Sequence, residues 1–74
     1  MPTDTKLQRM RRAIARLPEP IATIYRLHLV DGLDYRSVAA LTTLDVADVE
    51  RCIARAIVLI ERYLRAQERR RSRR

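Results

Sequence analysis

The stretch at 34–64, DYRSVAALTTLDVADVERCIARAIVLIERYL, decides how the rest of the chain is read. Asp34 is a good helix cap, and a short helix is predicted behind it, from Tyr35 to about Leu41, with Val38, Ala39 and Leu41 facing inward. Thr42-Thr43-Leu44 is then a tight connection with neither Gly nor Pro. Asp45 is the cap of a longer helix predicted to reach Arg65 or beyond. Along it Val49, Ile53, Ala56, Ile60 and Leu64 recur at steps of 4, 3, 4 and 4, one stripe of an α-helix. A short helix, a tight turn and a longer helix have the size and spacing of a helix-turn-helix.

Upstream of this unit two further helices are predicted. The first runs from about Lys6 to Arg16, with Thr3 or Thr5 as its cap and Leu7, Met10, Ile14 and Leu17 as its stripe. Pro18 and Pro20 end it, and because proline fits a first helical turn, Pro18-Glu19-Pro20 also opens the second helix. That helix spans about Glu19 to Val30, with Ile24, Tyr25 and Leu27 inward, and closes at Asp31-Gly32, where the only Gly takes a left-handed position. The expected architecture is all-α: an arm at 1–5, a four-helix domain at 6–65 ending in a helix-turn-helix without a wing at about 34–64, and a disordered Arg-rich tail at 66–74.

Charge is spread unevenly. Residues 1–16 carry five basic side chains against one acid, 17–64 five against seven, and 65–74 six against one, within a net +7. The middle is mildly acidic and both ends are basic. Unpaired arginines such as Arg69, Arg70 and Arg71 either solubilise the chain or bind polyanions by releasing counterions.

Several classes of function are excluded by what 74 residues contain. One Cys forms no internal disulfide, which points to a reducing compartment and a cytoplasmic protein. The longest apolar run is five residues, Ala56 to Ile60, far below the ~20 that cross a bilayer. One His and one Cys supply no metal site, no cofactor loop is present, and no base is spaced to activate Cys52, which reads as a small hydrophobe. His28 reads as a solvated surface residue. No catalytic residue is assigned, and the chain is expected not to be an enzyme.

The order of residues carries something more definite. Leu17-Pro18-Glu19, Ile24-Tyr25, Leu27, Asp31-Gly32-Leu33-Asp34-Tyr35, Val38-Ala39, Val46, Val49, Ile53, Arg55-Ala56 and Ile60 resemble region 4 of bacterial sigma-70 family factors, the extracytoplasmic-function type above all. The resemblance covers about residues 13–64 without a gap. It implies a four-helix fold, recognition of the −35 promoter element on double-stranded DNA by the last helix, docking on RNA polymerase, and a bacterial, nucleoid-associated setting. A whole sigma factor also has a promoter-melting second region, which these residues do not supply, so a stand-alone region 4 is expected.

Three departures from the family pattern open alternatives. Where its reading helix commonly starts with small, hydroxyl and then basic residues, this chain has Val46-Ala47-Asp48-Val49-Glu50-Arg51. Ala47, Asp48, Glu50 and Ala54 are candidate residues at the base edges, with Glu50 able to accept from cytosine and Asp48 able instead to meet Arg51 at i+3. Arg51, Arg55 and, on the bracing helix, Arg36 are candidate phosphate contacts. Ile21, Ile57 and Val58 replace residues that are polar or charged in the family, marking a protein contact or a local repacking. Two functions follow: a DNA-binding transcription regulator, or an interaction module that has lost base reading and forms a homodimer or binds polymerase or an anti-sigma-like partner.

Overall fold

The computed structural model describes residues 5–72, which form four helices and, among the described residues, no strand: α1 (Lys6–Ala15), α2 (Ile21–Leu29), α3 (Tyr35–Thr42) and α4 (Val46–Ser72). Thr3, Asp4, Arg73 and Arg74 lie outside the described residues, as do the side chains of Arg71 and Ser72. The all-α reading and the helix-turn-helix both hold.

Each helix starts where its local chemistry allows. Thr5 caps α1 through a reciprocal pair, its Oγ1 accepting from the Gln8 N–H at 3.1 Å while Gln8 Oε1 accepts from the Thr5 N–H at 3.0 Å. The second helix begins at Ile21, two residues later than Glu19, with Pro20 at its cap position; Glu19, one residue before the cap, satisfies a first-turn donor, its Oε1 accepting from the Thr23 N–H at 3.2 Å and from its hydroxyl at 2.6 Å. Gly32, at φ +74°, turns the chain out of α2 as its position implied. Asp34 caps α3, accepting from the Ser37 N–H at 2.8 Å.

Thr43 makes the turn inside the motif with φ +59°, a left-handed conformation that a β-branched residue rarely adopts. The turn holds because its polar groups are used: the Thr43 and Leu44 N–H groups both donate to Ala39 O, the latter at 3.1 Å, and Thr42 Oγ1 donates to Val38 O at 2.7 Å.

All three shorter helices pack on α4. The buried core joins Ala13 and Leu17, then Ala22, Ile24 and Tyr25, then Val38 and Ala39, to Val49, Ile53, Ala56 and Ile60 of α4. The four α4 residues are those of its expected stripe. Leu41 is not inward: it is 66 % exposed, because Tyr35, Val38, Ala39 and Thr42 follow the helical period and Leu41 falls on the opposite side. Leu7 is 62 % exposed, since α1 packs on α4 without comparable contact to α2 or α3 and its first turn has no second layer beside it.

The tail also departs from expectation. α4 runs as helix through Ser72, 27 residues or about 40 Å at 1.5 Å per residue. Arg, Ala, Gln and Glu are strong helix formers, and arginines at a helix C-terminus face the negative end of its dipole. This helix gives the molecule its longest dimension, 47 Å against 21 and 15 Å.

Ile24→Ala should cost about 2–5 kcal/mol, whereas Leu41→Ala should stay within about 0.5 kcal/mol, as read by urea unfolding followed by circular dichroism. Thr43→Gly should raise the melting temperature, since relief of left-handed strain (about 1–2 kcal/mol) exceeds the entropic cost of the glycine (about 0.5–1 kcal/mol).

Candidate nucleic-acid interface

The second helix of a helix-turn-helix is read at its N-terminal turns, so the surface that matters is what α4 shows there. Steps of 100° per residue place Ala47, Arg51, Ala54 and Val58 directly opposite the buried stripe. Ala47, Arg51 and Ala54 are exposed, and the small alanines on either side of Arg51 leave room for a close approach to a groove floor. Exposed Glu50 flanks this ridge on one side, with half-buried Asp48 and exposed Arg55 on the other. Arg36 lies in the first turn of α3, beside a shallow depression it shares with His28, Asp34, Tyr35 and Val46, which sets it next to the start of α4.

Of the two acids on the first turns of α4, Asp48 is engaged locally. Asp48 pairs with Arg51 one turn on, as their spacing suggested. Both side chains remain accessible, and a pair of this kind costs under about 1 kcal/mol to open, so Arg51 is held in reserve and not locked away.

His28 is a correction to the sequence reading. It is half-buried, its Nδ1–H donates to Leu33 O at 2.8 Å, and its ring packs on Tyr35 with centroids 4.9 Å apart. One side chain on α2 therefore pins the 31–34 turn and the first residue of α3, fixing the bracing helix against the scaffold.

On the flank of α4 facing α1, a groove of about 320 Å³ is lined by Ala13, Leu17, Pro18, Ile21, Leu59 and Tyr63, with Arg16 and Arg55 at its edges. The Arg16 guanidinium lies 5.0 Å from the centre of the Tyr63 ring, a cation–π contact that sequence spacing did not reveal. Ile21 belongs to this groove and is half-buried, whereas Ile57 and Val58 are 48 % and 38 % exposed on α4.

The remaining candidates are not brought to the site. Arg69 and Arg70 are exposed near the far end of α4, and the rise of the helix puts Arg69 about 33 Å from Ala47. Among the described residues no group of His, Cys, Asp and Glu could hold a metal ion, and no helix is long and apolar enough to cross a membrane.

The family model for sigma-70, region 4, matches residues 7–60. The chain belongs to this family. Region 4 is a DNA-binding helix-turn-helix domain of transcription regulators, not an enzyme fold. The match ends within α4, so the arginines of its last turns lie beyond the part shared with other region 4 domains. No curated protein and no solved structure matches the chain.

Two carboxylates brace the domain at low cost in charge. The Ser37 backbone N–H and hydroxyl hold Asp34 below its ordinary pKa of 3.8, with Arg36 and His28 adding to the effect. The Thr23 hydroxyl and N–H, then Arg26, do the same for Glu19, whose ordinary value is 4.5. A lowered folded-state pKa adds stability above the ordinary value and loses it as pH falls through the folded one. Thermal melts should therefore be flat from neutral pH down to about 5 and fall steeply below about 4. Asp34→Asn, which keeps a capping side chain but no charge, should shallow that acid limb.

Proposed function

We propose that this region 4 domain reads promoter DNA, at an element of the −35 kind, with the first turns of α4 in the major groove. The observation that carries the reading is the exposed Ala47–Arg51–Ala54 ridge, opposite a fully occupied core stripe and next to Arg36 on the bracing helix. The alanines suit apolar contact with thymine methyl groups, Glu50 suits a cytosine amino group, and Arg51, Arg55 and Arg36 suit guanine or phosphate. On meeting DNA, Arg51 exchanges Asp48 for a more strongly charged partner. The groove containing Ile21, Leu59 and Tyr63 supports docking on RNA polymerase, because it is largely apolar, accessible and extends along α4 from Arg55 away from the first turns.

Fluorescence anisotropy with a duplex pool, followed by sequencing of the bound fraction, tests the assignment. Arg51→Glu should abolish enrichment of any motif; enrichment that survives would show that the reading face lies elsewhere. Asp48→Asn should tighten binding, because it frees Arg51 and removes a charge that repels phosphate. Log affinity should fall with log salt at about 0.9 per phosphate neutralised.

The exposure of Ile57 and Val58 favours a second reading, a protein contact on the same helix. Changing both to Lys should lower the particle mass seen by light scattering if they hold a dimer; an unchanged mass would remove the dimer.

A further inference from the structure

The two basic ends of the chain are distant in sequence, yet they come together. Arg16, at the C-terminus of α1, meets Tyr63, beyond the midpoint of α4. Leu17 and Pro18, which follow Arg16, line one groove with Arg55 and Leu59, upstream of Tyr63 on α4, and α1 packs on α4 without comparable contact to α2 or α3. Traced back from Arg16 towards Lys6, α1 therefore runs antiparallel to α4, along its last turns. Exposed Lys6, Arg11 and Arg12 on α1 and exposed Arg65, Arg69 and Arg70 on α4 thus gather at one end of a 47 Å molecule, where Glu68 is the acid on the last turns.

We propose that this basic pole is a second nucleic-acid-binding end, which holds the phosphate backbone of a duplex other than the one facing the reading turns. Three observations carry this inference, which rests on the reading turns binding DNA. The first is distance. The recognition helix of a helix-turn-helix meets base edges with its N-terminal residues, so the first turns of α4 are the ones placed at the groove and its last turns stand well beyond them. Arg69 stands about 33 Å along the helix from Ala47, out of reach of the backbone that flanks the reading turns.

The second is chemistry. The pole is almost wholly arginine, whose planar fork pairs with phosphate oxygens, and the large apolar side chain exposed on it is Leu7. A protein partner needs an apolar centre to its interface, which Leu7 alone does not provide. A phosphate backbone needs only positive charge, which two adjacent helices supply in parallel rows. The third is contrast. The opposite end carries Asp31, Asp34, Asp45, Asp48 and Glu50 against Arg36, Arg51 and Arg55, so the excess of positive charge lies at the pole.

A capture assay with the full chain tests this directly. One biotinylated duplex is held on beads, and retention of a second, fluorescent duplex is measured with and without protein. The wild-type chain should retain the second duplex, and six contacts should make retention fall about 10³-fold between 50 and 200 mM salt. Reversing the exposed pole residues together (Arg65→Glu, Arg69→Glu, Arg70→Glu) should cut retention at least tenfold while binding of a single duplex persists. Circular dichroism checks that the helices remain.

Retention unchanged by those reversals would overturn the proposal, and it is also the outcome if a dimer held two duplexes through its reading turns. A wild-type chain that binds one duplex per molecule, with that binding indifferent to reversing the pole, would overturn it as well. Tighter binding of polyglutamate than of duplex to the pole would replace the phosphate assignment with an acidic protein. Failure of the promoter-reading assignment has a different signature: in the pole-reversed background, single-duplex binding would be indifferent to Arg51→Glu, with second-duplex retention still lost on reversing the pole.

Discussion

Burial of one stripe of α4, Val49 with Ile53, Ala56 and Ile60, is the constraint from which the rest of the architecture follows. α1, α2 and α3 each pack on this helix, and each contributes small or branched apolar residues that reach it. In a domain this small, a core of this size leaves a thin margin over the entropy of ordering the chain. The four positions are therefore not interchangeable with their neighbours. Because the stripe faces the scaffold, the opposite ridge is obliged to face solvent, and the surface proposed to read DNA is set by the same contacts that hold the fold.

The bracing half of the motif is fixed by polar chemistry instead. Asp34 caps α3, His28 ties the preceding turn to α2 through Leu33 O and packs on Tyr35, and Thr43 carries the left-handed turn into α4. None of these side chains is in the core. Together they set the angle at which α3 meets α4, and hence where Arg36 stands relative to the first turn of α4. A hydrophobic stripe alone would leave that angle loosely defined, because apolar contacts are not directional.

Much of this was legible in the sequence because helical periodicity is a strong signal wherever a helix buries one face. The α4 stripe, the Gly32 turn, the Asp34 cap and the i+3 pair of Asp48 with Arg51 could all be read from spacing. What could not be read depended on three-dimensional neighbours. Leu41 looked inward because it is apolar, yet the side of α3 it occupies has no partner. His28 looked solvated because no sequence pattern shows a carbonyl five residues away folding back onto it. The arginines after Arg65 looked like a self-repelling tail, but their helix propensity and the dipole outweigh repulsion that solvent screens. Of the candidate residues, Arg36 on α3 and those on the first turns of α4 lie on neighbouring turns of the motif. Arg69 and Arg70 do not, because continuing α4 as helix carries them away from the reading turns.

That separation of charge bears on how a region 4 domain with acids in its reading helix can discriminate between sequences. Phosphate attraction is the same for every sequence, so a reading end rich in Lys and Arg gains affinity everywhere and selectivity nowhere. Here Asp48 and Glu50 offset Arg51 and Arg55, and the reading turns have little charge with which to hold a non-cognate site. On the proposed reading, binding at that end comes mainly from base-edge contacts, which differ from site to site, and an acid set against the wrong base adds a penalty of its own. The cost is weak attachment by the reading turns alone. A strongly basic pole, about 33 Å away on the same continuous helix, can supply attachment without blurring the discrimination, because it does not share their duplex segment. On this argument the acids of the reading helix and the arginines of the far end are two parts of one arrangement, held apart by the length of α4.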